Sequence, residues 1–331
     1  MIKKINRRNF LKNSILASAG AAAGLSLEEK ILLAQKENHN KAPSDISSKN
    51  MPMGQIGQVK ISRLICGGNL INGYAHSRDL IYVSDLLKHY FTDEKITETY
   101  RICQTHGINT AILSNLDSDQ RGINILNKFK KEGGKMQFIA QCAPEEHDLT
   151  TNVKKAVDNG AVGAFILGNI GDLWVREDKV DLLGKVIDFM KTNGLIAGIA
   201  GHSLDVPIAC EAAGLNVDFY MKTLHTTNYF SARRPDQNKS VIDNYSVDNY
   251  WSMTPEQTIE FMKEVKKPWI AYKVLAAGAI HPTKGFQYAF ENGADFINVG
   301  MYDFQVAQDA EIANNILAKS SLKNRTRTWQ A

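Results

Sequence analysis

The sequence is short of several things that would place it quickly. It has only four cysteines, Cys66, Cys103, Cys142 and Cys210. They are widely spaced, form no C-x-x-C pair and sit inside apolar segments, the pattern of small core residues rather than of a disulfide framework or a zinc cluster. No H-x-H or H-E-x-x-H spacing marks a metal centre, and no G-x-G-x-x-G or P-loop pattern marks a nucleotide cradle. The formal net charge is only +4, with charged residues at 22%. Much of that excess lies in Lys3, Lys4, Arg7, Arg8 and Lys12, so nothing points to nucleic acid. The one uncharged stretch near the start, Ile15 to Leu27, is too short to cross a bilayer core of ~30 Å as a permanent helix.

What the first residues do contain is a combination. Asn6-Arg7-Arg8-Asn9-Phe10-Leu11-Lys12 follows a basic leader and runs into the apolar stretch of Ala, Gly, Leu and Ser. Those parts together read as a twin-arginine export signal over about residues 1–35. The expected location is therefore the periplasm, with the twin-arginine translocase as a transient partner. That route carries folded chains, some with a cofactor already inserted. A polar linker over 36–50 separates the signal from a body at 51–331.

The body alternates short apolar runs with longer amphipathic stretches. Eight runs read as strands: 63–68, 110–113, 137–141, 163–167, 196–200, 218–222, 269–274 and 296–300. Their apolar residues are continuous rather than alternating, which predicts a parallel sheet covered by helices. Glycines at 107, 160, 194, 214 and 293 are placed to end helices in a left-handed residue. Thr254-Pro255-Glu256-Gln257 predicts a capped helix start. Eight strand–helix units in about 280 residues predict a (β/α)8 TIM barrel.

Met53-Gly54-Gln55-Ile56-Gly57-Gln58-Val59-Lys60-Ile61-Ser62-Arg63-Leu64, then Cys66-Gly67-Gly68-Asn69, resembles the opening of the aldo-keto reductases, as does Gly107-Ile108-Asn109-Thr110 before the second strand. The resemblance implies a hairpin that plugs the barrel floor. It also implies NADPH-dependent carbonyl reduction by an Asp and a Tyr on and after the second strand, a Lys on the third and a His ending the fourth. This chain carries Ile112-Leu113-Ser114-Asn115, Gln141-Cys142-Ala143 and Leu167-Gly168-Asn169 at those places, so the resemblance speaks to fold more than to activity.

On this fold chemistry sits at the C-terminal ends of strands. Lys222 and Lys273 interrupt apolar strands there and are expected to point into the mouth, where a desolvated amine is a nucleophile that forms a Schiff base with a carbonyl. The arrangement resembles that of class I aldolases. The plainer alternative pairs Lys222 with Asp218. His202 and His225 end adjacent strands and are candidates for acid–base work, for a substrate hydroxyl, or for a divalent metal with Asp303 or His76. Weaker candidates are His106, beside a helix-ending glycine, and His281. Tyr250 and Trp251, in the long connection 226–253, suit stacking on a sugar ring. Asn69 and His76 in the first loop, and Asn298 and Asp303 at the eighth strand, are further candidates for binding substrate. Small residues at 275–280 suit a phosphate or cofactor against backbone amides.

The sequence thus favours an exported enzyme acting on a carbohydrate or other polyhydroxylated carbonyl compound by lyase or isomerase chemistry with Lys273, Lys222 and His202. A reductase with a rebuilt site and a catalytically silent sugar-binding barrel are the alternatives. A divalent metal or NADP is compatible with the sequence and neither is required by it.

Overall fold

A computed structural model describes residues 51–331 apart from 75, 77–79, 117–118, 234–241, 244–250, 321 and 323–324. The chain divides at Lys49/Asn50 into two units. The segments expected to be an export signal and a linker lie outside the described residues, and so does Tyr250 of the long connection.

A two-stranded antiparallel hairpin, β1 (Met53–Ile56) and β2 (Val59–Ser62), precedes eight parallel strands. These are β3 (Leu64–Gly67), β4 (Thr110–Ser114), β5 (Gln137–Cys142), β6 (Gly163–Ile166), β7 (Ile196–Gly201), β8 (Phe219–Thr223), β9 (Trp269–Tyr272) and β10 (Phe296–Gly300). They follow one another around a closed barrel in which β10 returns to pair with β3. The helices are α1 (Val83–Tyr90), α2 (Asp93–Thr105), α3 (Arg121–Lys131), α4 (Thr151–Asp158), α5 (Gly168–Arg176), α6 (Val180–Thr192), α7 (Asp205–Ala212), α8 (Pro255–Glu264), α9 (Pro282–Glu291) and α10 (Asp303–Leu317). The predicted TIM barrel is the observed fold, and all eight predicted strands are present.

Strand periodicity divides the buried residues into two sets, because successive side chains on a strand point to opposite faces. Ile65, Ile112, Ile139, Phe165, Ile270 and Phe296 fill the barrel interior, and Ile56 and Ile61 of the hairpin join them, so the hairpin closes the floor. The alternate residues, among them Leu64, Ala111, Phe138, Tyr220 and Ala271, pack outward on the helices.

Glycines 107, 160, 194, 214 and 293 all adopt positive φ after a helix, as the sequence predicts. Thr254 departs from expectation: α8 starts with Pro255, but the Thr254 side chain makes no capping hydrogen bond. The four cysteines are all buried thiols with no disulfide among them.

Candidate active site

A buried polar cluster lies where α5, β7, β8 and β9 meet at the C-terminal ends of the strands. Asp172, in α5, is 4% exposed. Its carboxylate accepts hydrogen bonds from the backbone N–H of His202 (2.9 Å) and of Ser203 (2.9 Å), and from His202 Nδ1 at 2.7 Å. A carboxylate without a proton has nothing to donate, so the imidazole carries its hydrogen on Nδ1 and leaves Nε2 as the lone-pair nitrogen. Burial, reinforced by the charge of Lys273 and resisted by Asp172, pushes the His202 imidazole down from 6.5 to about 4. It is therefore a neutral base at neutral pH.

The ring of Tyr272 meets His202 edge-on, with centroids 5.5 Å apart. Tyr272 continues the inward face of β9 after Ile270 and pairs in register with Asn298 on β10. Its Oη is buried and has no hydrogen-bond partner, and the same holds for Asn298 Oδ1 and for Asn169 Oδ1 at the start of α5. Burial first, then the charge of Asp172, holds the phenol well above its ordinary range, so Tyr272 keeps its proton. Gly168 lets these groups converge: a Cβ there would stand 2.9 Å from both Tyr272 Oη and His202 Cε1.

The two predicted lysines are brought near this cluster by different routes. Lys273 follows the last residue of β9 rather than lying in the strand. It is buried, and its backbone takes φ 58°, a left-handed conformation that costs a non-glycine residue about 1–3 kcal/mol and is concentrated at functional sites. Its charge acts on His202. Lys222 departs from the expectation that both lysines point into the mouth, because it shares the outward face of β8 with Tyr220, while Phe219 and Met221 face the interior. Its stem is buried in the wall, and Nζ donates to Thr223 Oγ1 at 2.8 Å. Burial lowers the amine from 10.5 to about 8, against the charges of Asp172 and Asp205. The alternative pairing of Lys222 with Asp218 is not formed. Asp218 instead bonds Lys191 at 2.7 Å and the Ala197 N–H at 2.8 Å.

Asp303 is also corrected as a metal or substrate group. It bonds Lys95 Nζ at 2.7 Å and Tyr90 Oη, tying α10 to α1 and α2. Burial would raise its pKa, but those two hydrogen bonds hold it below the carboxylate range. His225 bonds the Thr226 carbonyl at 2.9 Å and meets Tyr229 edge-on. His76 is hydrogen-bonded to Asn69 Nδ2 at 2.9 Å in the first loop. Among the described residues no three histidine, cysteine or carboxylate side chains are grouped to hold a metal ion, so the proposed sets of His202, His225, Asp303 and His76 do not form one. Trp251 is buried, with the Arg233 guanidinium 3.6 Å over its ring, and lines a small cavity with His225, Tyr229 and Met253. One face of this predicted sugar platform is therefore taken by Arg233. Of the weaker histidines, His281 caps α9 by accepting the Thr283 N–H, and His106 occupies the C-terminal end of α2.

Asp172 and Tyr272 escaped the sequence reading. Tyr272 lies within the apolar run 269–274, and Asp172 stands in no motif that marks it. The available signal was the pair Gly168 and Gly171 in one short helix. A Cβ on Gly171 would come within 2.3 Å of the Ala200 carbonyl, so α5 is pressed directly onto β7.

No protein-family model matches the chain, and no curated protein matches it. Solved structures that resemble it include the holo form of an aldo-keto reductase from Bacillus halodurans, with a TM-score of 0.52 and 11% identity over 85% of this chain and 98% of that one. A truncated 3-deoxy-D-arabino-heptulosonate 7-phosphate synthase from Thermotoga maritima aligns over 81% of this chain and 91% of its own, at 13% identity and a TM-score of 0.47. At such identities the likeness is one of fold: the class this chain belongs to is the TIM barrels.

Proposed function

We propose that the chain is an exported TIM-barrel enzyme acting on a carbohydrate or other polyhydroxylated carbonyl compound by non-redox lyase or isomerase chemistry. One observation carries the reading: a neutral imidazole held by a buried carboxylate, beside a phenol that keeps its proton and two buried lysines. His202, with its lone pair on Nε2, supplies the base for taking a proton from carbon next to a carbonyl. Lys222 leaves β8 on the outward face, but its stem carries Nζ to Thr223 Oγ1 near the strand end, where burial lowers the amine to about 8 and leaves about a tenth of it neutral at pH 7 for attack on a carbonyl. The amine nitrogen bonds the carbonyl carbon, the oxygen leaves as water, and the imine draws electrons from the neighbouring bond.

The reductase alternative draws on the fold alone, since the strand ends in question carry Ser114, Gln141 and Leu167. Borohydride with candidate ketoses or 2-keto sugar acids should label Lys273 or Lys222, with mass spectrometry locating the adduct. Full turnover in Lys273→Met and Lys222→Met, with no adduct in the parent, would sink the Schiff-base form of the reading.

A further inference from the structure

The start of α5 presents donors, and the groups around it complete a pattern. α5 is a nine-residue helix whose N-cap, Leu167, supplies no side-chain cap. Its first hydrogen bonds run from Ile170 and Gly171 to the Leu167 carbonyl, each at 3.0 Å. The N–H groups of Gly168 and Asn169 thus belong to the end of the helix that faces outward with partial positive charge. Gly168 has no side chain to cover them. The Tyr272 hydroxyl lies against that glycine, buried and without a hydrogen-bond partner. Lys273 adds positive charge nearby, while the one buried carboxylate of the cluster, Asp172, is turned to His202 and Ser203. Asn169 Oδ1 and Asn298 Oδ1 are buried acceptors lacking donors. A buried acceptor left unmade costs about 1–3 kcal/mol, so a ligand whose hydroxyls donate to these two would recover that cost.

Donors and positive charge at the end of α5, with open acceptors on α5 and on β10 beside Tyr272, are the complement of an anionic oxygen accompanied by hydroxyls. We propose that the Gly168 and Asn169 N–H groups, Tyr272 Oη and Lys273 seat a carboxylate, with Asn169 and Asn298 taking neighbouring hydroxyls, so that the substrate is a polyhydroxylated carboxylic acid of the sugar-acid class. The inference rests on the mouth being the substrate site, as in the proposed function, and narrows what enters it. It needs no commitment to Schiff-base chemistry.

Binding separates the two, because it is measured without turnover. Calorimetric titration would use gluconate, its neutral counterpart glucose, and glucose 6-phosphate as a differently charged twin. Gluconate should bind at least about tenfold tighter than glucose, and Tyr272→Phe should remove about that factor for gluconate while leaving glucose unchanged. Asn169→Asp places a negative charge beside the seat and should abolish gluconate binding at an unchanged unfolding temperature, which covers the case of a Tyr272 variant that does not fold. Absent gluconate binding, equal binding of gluconate and glucose, or gluconate binding indifferent to both substitutions overturns the proposal. Tighter binding of glucose 6-phosphate than of gluconate overturns the carboxylate in favour of a phosphate. Borohydride trapping that fails while gluconate binds as expected removes the Schiff base and leaves the seat standing.

Discussion

His202 and Gly168 are the residues at which the site is most exposed to a small change. The folded imidazole titrates near 4 and the unfolded one near 6.5, so between those values the unfolded chain binds the extra proton. Stability should therefore rise with pH across that window and be lost as pH falls through it, by about 1.4 kcal/mol per unit of pKa difference at most. Denaturant melts of the parent and of His202→Asn between pH 4 and 7 measure this directly. The variant should show a shallower slope, and equal slopes would mean that His202 is not held neutral by the fold. Gly168→Ala tests the convergence itself. Its new methyl would meet Tyr272 Oη and His202 Cε1 at 2.9 Å, tighter than ordinary contact, so ring or helix must shift by some tenths of an ångström. Ligand affinity and turnover should fall by about a hundredfold, as a displaced catalytic group allows, while the unfolding temperature moves little. A parent-like variant would show that the mouth tolerates displacement there.

At the scale of elements, legibility followed burial. Strands buried on both faces announce themselves as apolar runs, and glycines closing helices announce the register of the units, which is why all eight strands could be read in advance. Lys222 could not be placed by the same logic. The rule that a charged amine avoids the helix layer fails when burial lowers its pKa and a long stem carries the nitrogen to the strand end, here to Thr223 Oγ1. The carboxyl-terminal segment was equally illegible, because its role depends on partners far away in sequence. Asp295, fully buried before β10, accepts from the Trp269 N–H (2.9 Å), the Gln330 N–H (2.8 Å) and Arg327 (2.6 Å), while Arg63 and Arg325 lie against Trp329. Burial lowers both Arg63 and Arg325 to about 10, with Asp295 resisting. Asp295→Ala leaves these guanidinium groups without their counter-charge and should cost ~3–5 kcal/mol, read as a lower denaturation midpoint at constant m. A loss below 1 kcal/mol would mean that water replaces the carboxylate.

For the molecule as a whole, export and thiol chemistry make one joint prediction. The twin-arginine route moves folded proteins, so a barrel that used it would have to close in a reducing cytoplasm, before any oxidant could help. Its cohesion fits that demand. The cysteines are buried thiols spread over β3, α2, β5 and α7, and the interior and outer apolar clusters are complete without a covalent link. Burial raises the thiols of Cys142 and Cys210 to about 12, which suppresses the thiolate that oxidation and exchange require. The unfolding temperature of protein recovered from the periplasm should therefore be the same with and without reductant, and thiol counting after denaturation should find four. Replacing Arg7 and Arg8 by lysine should hold the protein in the cytoplasm, folded and with the same unfolding temperature, because nothing in the barrel waits for the outer compartment. Undiminished export of the Arg7→Lys/Arg8→Lys variant would break the route assignment. A reductant-sensitive melt of the exported protein would break the other half, by showing that a disulfide forms after translocation.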